Sequence, residues 1–272
     1  MRDYLLIVGL VVLAMALRAC RPAPLRKAGA FLLLAASFYL FHVLTGHWAG
    51  GLLGVALWFF LPWLDLVLRV RKKRLPRNNR LSTADTPSVS LFPHAGSAIA
   101  AMEMEDFDHV DDGAWVWSGM EQYHRIFWNP EEHAFGTVCL CEQDSIAFAF
   151  VSITSVDRSG VAWRTTNFPF SPRLAVPNTV RWNHVPCEQS CFRQILKAHR
   201  SYLERKGLGH EQLAITDPDD IVTWLENEMS AIVAHNLKAG IIEEADEDSY
   251  RYSLKGLFFL WKQLVRDMIR LC

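Results

Sequence analysis

An α+β fold is predicted, with three N-terminal transmembrane helices followed by a cytoplasmic domain in which two or three helices pack a small antiparallel sheet. Three observations predict it. A 21-residue apolar run from Trp48 to Leu68 ends directly on seven Lys and Arg residues within twelve positions, Arg69 to Arg80. Residues 135–167 alternate apolar and polar with the period of strands. Downstream, apolar positions recur at helical spacing in three segments, with one acidic hairpin between the last two.

The membrane region is residues 1–74. Its first apolar run, about 4–19, contains LLIVGLVVLAMAL. At ~1.5 Å per residue it reaches roughly 24 Å, and snorkelling ends or local thinning fit it to a core of about 30 Å. The second run, 30–45, reads AFLLLAASFYLFHVLT and ends on the polar turn Gly46-His47. The third, 48–68, is long enough to cross without adjustment. Arg18, Arg21, Arg26 and Lys27 follow the first run, and Arg69, Arg71, Lys72, Lys73, Arg74 and Arg77 follow the third. Both basic segments favour the cytoplasm. The topology expected is an outside amino terminus, an outside turn at 46–47 and everything after Arg69 inside, in a multi-pass protein of a bacterial-type inner membrane. A competing reading of the first run is a secretory signal, with Leu17-Arg18-Ala19-Cys20 as a lipoprotein box. Arg18 is atypical there, and two further spans follow at once.

Charge divides along the same line. The first 80 residues carry 12 Lys+Arg against Asp3 and Asp65, whereas the remaining 192 carry 16 against 27 Asp+Glu. An acidic domain lacks the cationic excess that nucleic-acid phosphates require, so no nucleic-acid partner is expected. The expected partners are the lipid bilayer and a membrane or cytoplasmic protein. Inside the third run, Gly50 and Gly54 are spaced to let helices approach closely, and Pro62 introduces a kink. Asp65 sits one turn from Arg69, which favours a local ion pair over a proton pathway. His42 lies near a boundary and reads as structural.

Residues 75–100 read as a linker, rich in Pro, Asn, Ser and Gly. The acidic domain spans 101–272. Its cluster Glu103, Glu105, Asp106, Asp108, Asp111, Asp112 resembles a calcium loop only at Asp106 and Asp108; Val110 and Asp111 break the pattern, leaving a solvated acidic loop. Phe135–Glu142 and Ser145–Thr154 flank Gln143-Asp144 as a hairpin, and Val156–Gly160 turns the chain into a third strand to Asn167. Pro169, Pro172 and Pro177 then interrupt regular structure before a short strand near 180–185.

A helix is predicted over about 188–206, stopping at Gly207. Another begins after Thr216 as cap with Pro218 in its first turn, and ends at Lys238-Ala239-Gly240. Ile241 to Leu254 reads as a hairpin with an acidic tip. The last helix, 255–271, carries an apolar face and a basic stripe of Lys262, Arg266 and Arg270. It either caps the domain core or lies in the inner membrane interface. Helix, hairpin, helix also resembles a winged-helix module in outline, but the acidic tip would be repelled by DNA.

Chemistry is sparsely signalled. Cys139 and Cys141 share one face of a strand, while Cys187 and Cys191 sit one turn apart at a helix start. Four thiolates brought together would make a tetrahedral zinc site, yet the spacings differ from the usual knuckles, and small buried core residues explain the first pair equally. His184, Cys187 and His199 supply the parts of a nucleophile and base. No nucleophile elbow, phosphate loop, zinc-protease helix or dinucleotide fingerprint is present. Trp163–Asn167 and Trp182-Asn183-His184 either line a pocket or end strands. The reading is an integral membrane protein with a cytoplasmic binding or scaffolding domain, no catalytic signature and no cofactor. The alternative is a membrane-bound enzyme or thiol/zinc protein using Cys139, Cys141, Cys187, Cys191 and His184.

Overall fold

The structure is a computed structural model that describes residues 2–20, 22–78, 80–82, 87, 92, 94–117, 120–143, 146–185 and 192–271. Two compact units divide the chain, residues 1–73 with 252–272, and residues 74–251.

The first unit contains α1 (Arg2–Arg18), α2 (Ala23–Thr45), α3 (Trp48–Leu68) and, from the end of the chain, α7 (Leu254–Leu271). Two of its helical segments, Pro24–Thr45 and Trp48–Lys72, are long and apolar enough to cross a membrane. The third expected span is shorter: α1 has 17 residues, about 25 Å at ~1.5 Å per residue. The turn between α2 and α3 falls at Gly46, whose φ of 71° closes α2 in the left-handed conformation that glycine adopts without a Cβ clash. Close packing of α2 on α3 depends on Gly54, where a Cβ would stand 2.7 Å from the Phe41 ring and 2.8 Å from the Ser37 carbonyl. Trp58 on α3 donates its indole N–H to Ser37 Oγ at 2.9 Å. Asp65 pairs locally with Arg69, Oδ1 to Nε 3.1 Å.

The last helix, expected either to cap the domain core or to lie in the inner membrane interface, has its partners on α3. It belongs to the unit of α1–α3, where Trp261 donates to the Phe59 carbonyl at 2.9 Å and Phe258 meets Trp63 edge to face. An amphipathic helix with an aromatic-rich face finds its partners on an apolar helix, which is why its sequence pattern alone could not choose between the two readings.

The second unit is built on a six-stranded mixed sheet in sequential order: β2 (Asp108–Trp117), β3 (Met120–Asn129), β4 (Ala134–Gln143), β5 (Ile146–Val156), β6 (Ala162–Thr166) and β7 (Val180–His184). Strands β2 to β6 are antiparallel neighbours, and β7 runs parallel to β6. The expected three-stranded meander is therefore its centre. A parallel partner for β6 needs a crossover of about a dozen residues, and residues 167–179, rich in proline, provide it without a helix. β1 (Leu75–Pro76), β8 (Ile242–Glu244) and β9 (Ser249–Tyr252) form a separate small sheet in the order β1-β9-β8.

Two expectations for residues 75–112 change. Residues 95–103, read as the end of a linker and the start of an acidic loop, form α4 (Ala95–Glu103), which buries Ala95, Ala98 and Met102. Asp108, Asp111 and Asp112 lie on the edge strand β2, with a bulge between His109 and Asp111. Charged side chains on an edge strand keep it from pairing with other chains, and they also hide it from a search for apolar alternation. The helices α5 (Phe192–Arg205) and α6 (Ile221–Lys238) cover opposite faces. With α4, α5 packs Phe192, Ile195 and Leu196 onto Tyr123, Phe127, Val138 and Ile153. On the other face, α6 packs Ile221 and Leu225 onto Ile126, Phe135 and Val156. The turn into α6 is capped by Asp217, one residue beyond the expected Thr216, through its carboxylate on the Asp219 amide at 3.1 Å.

Candidate functional site

The sheet face under α6 forms one wall of a partly open cavity of about 240 Å³. Period-two alternation decides what points into it. β3 contributes Gln122 and His124, β4 Phe135, Thr137 and Cys141, and β5 Phe148, Phe150, Ser152 and Thr154. Arg164 of β6 and Trp182 of β7 continue the row, because Arg164 stands in register with both Thr154 and Trp182. The crossover closes one side with Phe168, Phe170 and Leu174, and α6 closes the top with Leu225, Glu228, Met229 and Ile232.

The crossover is held in place by single side chains at each end. Asn167 Oδ1 accepts from the Val151 amide at 2.7 Å. Asn236 of α6, fully buried, brackets Ala175, donating to its carbonyl at 2.8 Å and accepting from its amide at 2.9 Å. Between these anchors, Phe168 packs against Phe150 at 4.8 Å and Phe170 against Phe148 at 6.2 Å between ring centroids. The wall is therefore aromatic and fixed by backbone-directed amides.

One ion pair crosses the cavity. Arg164 donates through one guanidinium nitrogen to Glu228 Oε2 at 2.7 Å and through Nε to Thr154 Oγ1 at 2.9 Å, and it lies 6.0 Å over the Trp182 ring. The Glu228 side chain is only 9% exposed. Its second oxygen, Oε1, and the Trp182 indole N–H are buried with no hydrogen-bond partner among the described residues. Unsatisfied buried polar atoms are uncommon and each needs an explanation. Two of them lie beside one arginine, on side chains that line this cavity, and both are shut off from solvent.

His124 faces the edge of the Trp115 ring at 5.1 Å. Burial, reinforced by the Arg164 charge, lowers its pKa to about 4, so the imidazole is neutral at pH 7. Its Nε2 is 3.7 Å from Cys139 Sγ, which is 3.6 Å from Cys141 Sγ. The structure thus brings Cys139 and Cys141 together on one strand face, as their spacing requires. Burial first, then the neighbouring Cys141, push the Cys139 thiol well above its ordinary value. That is the opposite of an activated thiolate. Cys187 and Cys191 lie outside the described residues. No group of three or more metal-binding side chains occurs among the described residues.

His184 and His199 are used separately. His184 bonds the Phe168 carbonyl at the base of the crossover. His199 on α5 is buried on the far face, with Ser155 Oγ 3.1 Å from Nε2 and Thr165 Oγ1 2.9 Å from Nδ1. That hydroxyl–imidazole–hydroxyl chain has the outline of an activated serine. However, all three residues are 1% exposed or less, and burial lowers the His199 pKa to about 4. It is a satisfied core network. Trp163 likewise points away from the cavity, bonding Asp157 at 2.9 Å and packing on Tyr202.

The basic segment after α3 divides its partners. Arg74 lies 3.6 Å from Asp246, and Arg77 reaches both Glu244 and the Glu247 carbonyl while stacking over Tyr250. Arg71 and Lys72 make no ion pair among the described residues. The Arg164–Glu228 pair has no local signature, since its halves are 64 residues apart; its visible traces are the polar-aromatic clusters Trp163–Asn167, which holds Arg164, and Trp182-Asn183-His184. No family model, curated protein or solved structure matches the chain.

Proposed function

We propose that this is an integral membrane protein whose sheet domain is a binding module, working without a cofactor through the cavity under α6. The observation that carries the binding reading is the aromatic-walled cavity with the Arg164–Glu228 pair in its lining. Ligand sites are typically concave, mostly apolar and furnished with a few placed polar groups. The raised thiol of Cys139 and the enclosed His199 favour binding over thiol or nucleophilic chemistry.

Anchoring rests on α1, α2 and α3 as three spans, with the sheet domain in the cytoplasm of a bacterial-type inner membrane. Its support is the apolar exterior of those helices: only 11% and 17% of the two longer candidate spans are buried, and Leu5, Phe31, Leu52 and Leu61 are among the exposed side chains. Aqueous exposure of that much apolar surface is unfavourable, and lipid removes the cost. Arg71 and Lys72 remain available to anionic headgroups. On the same reading α7, with Phe258 and Ile269 exposed and a basic stripe beside them, lies in the inner interface.

A fluorescent reporter active only in the cytoplasm, fused after Cys272, tests the arrangement together with carbonate extraction. Fluorescence from a carbonate-resistant membrane fraction is expected. A dark reporter, or release of the protein by carbonate, would overturn the anchoring.

A further inference from the structure

We infer that the cavity under α6 takes a small aryl monocarboxylate, its ring against the phenylalanine wall and its carboxylate at the mouth, on Arg173. The inference rests on the binding reading above and supplies the chemistry of its ligand.

The mouth follows from exposure. Among the described residues that line the cavity, only Phe170 and Arg173 are exposed. Both belong to the crossover between β6 and β7, so the opening carries an aromatic ring beside a cation. Deeper in, the charges are already matched. Arg164 donates to Glu228 at 2.7 Å, with both side chains less than 15% exposed, and burial keeps His124 neutral at pH 7. Two arginines against one glutamate leave the lining with a net charge of 2 − 1 = +1, and the member open to solvent is Arg173.

Charge and size then select the ligand. A charge carried to the interior would be desolvated without a counter-ion, because Arg164 and Glu228 already neutralise each other there. A cation held at the mouth would be repelled by Arg173. A carboxylate at the mouth keeps part of its hydration and matches the planar fork of guanidinium donors. Behind it, Phe148, Phe150, Phe168 and Phe170 stand with neighbouring ring centroids 4.8 to 6.5 Å apart and offer faces and edges to a ring. A cavity of about 150 Å³ lined by apolar side chains holds a benzene ring. The volume here, about 240 Å³, leaves room for a ring and a linker of roughly two or three carbons on the same scale, which carries the carboxylate to the mouth.

The test titrates the full-length protein in zwitterionic lipid nanodiscs with 3-phenylpropionate, 3-phenylpropanol and 3-phenylpropylamine by calorimetry, subtracting binding to empty nanodiscs. The three share one body and differ in the charge at its end. At low salt the propionate should bind at least roughly fivefold more tightly than either of the others, the worth of about one net hydrogen bond, and added salt should shrink that margin because Arg173 is exposed. The Arg173→Gln variant should lose the preference while keeping the parent's affinity for the alcohol. Equal or tighter binding of the alcohol or the amine, or an unchanged preference in Arg173→Gln, overturns the carboxylate assignment and leaves the cavity as a binding site. Absence of binding by all three overturns the binding reading itself.

Discussion

Arg164 engages Glu228 through one carboxylate oxygen at 2.7 Å and leaves the other buried without a partner. The pair joins β6 to α6 with both side chains less than 15% exposed, so neither half can recover its hydration if the other is removed. Glu228→Ala alone should destabilise the sheet domain by about 3–5 kcal/mol, because it strands a buried guanidinium. The double variant Arg164→Met/Glu228→Leu should recover most of that loss, since apolar groups of similar volume replace a desolvated pair. Urea titration of the detergent-solubilised protein, followed by tryptophan fluorescence, reads both. A single variant as stable as the parent would mean that the pair is hydrated.

Two histidines make stability depend on mild acid. His124 and His199 both have folded pKa values lowered to about 4 by burial, against an unfolded value of about 6.5. Above pH 6.5 neither state binds the extra proton and stability is full. As pH falls from 6.5 toward 4 the unfolded chain takes up protons that the native state refuses, so stability declines across that window. The urea midpoint should drop between pH 7 and pH 5, before most carboxylates titrate. His124→Phe, which keeps a ring against Trp115, should remove part of the decline. An identical slope in the variant would show that His124 is solvated.

What could be read ahead of the structure follows from where the information sits. The β4–β5–β6 meander is written in consecutive alternation, and the stops of α5 and α6 at Gly207 and Gly240 are local punctuation. β2 and β3 were hidden because β2 is an edge strand whose Asp108 and Asp111 face solvent, so half of its pattern is charge. The parallel docking of β7 is a property of the crossover, and nothing in residues 180–184 states a direction. α4 was lost among turn residues, since alanines fill its buried positions where larger apolar side chains would have shown the period. The cavity was the least legible part, because its ion pair, its aromatic wall and its anchor Asn236 come from separate elements that only the fold assembles.

Asn236 should control the crossover independently of the cavity's charges. Its side chain makes three hydrogen bonds, two to Ala175 and one to the Ile232 carbonyl at 2.7 Å, while being fully buried. Asn236→Leu removes them all and leaves both polar atoms of Ala175 unpaired, a loss of about 1–3 kcal/mol. The Ala175 amide should then exchange hydrogen much faster, with β4 and β5 amides little changed. Uniform acceleration across the sheet would instead make Asn236 part of the global core.

In the apolar helices, Gly51 and Gly54 should be intolerant where Gly9 is not. A Cβ at Gly51 would stand 2.7 Å from the Phe38 ring, and one at Gly54 would meet both Phe41 and the Ser37 backbone, whereas nothing lies within 4 Å of Gly9. A ring can turn aside, but a helix carbonyl cannot without opening the α2–α3 contact. Gly54→Val should therefore cost more than Gly51→Val, in the range of about 1–3 kcal/mol for overpacking, and Gly9→Val should be close to neutral. Thermal unfolding in detergent micelles orders the three, and the cost should extend to the Trp58–Ser37 hydrogen bond that spans the same crossing. A Gly54→Val protein as stable as Gly9→Val would show that α2 and α3 separate in the micelle.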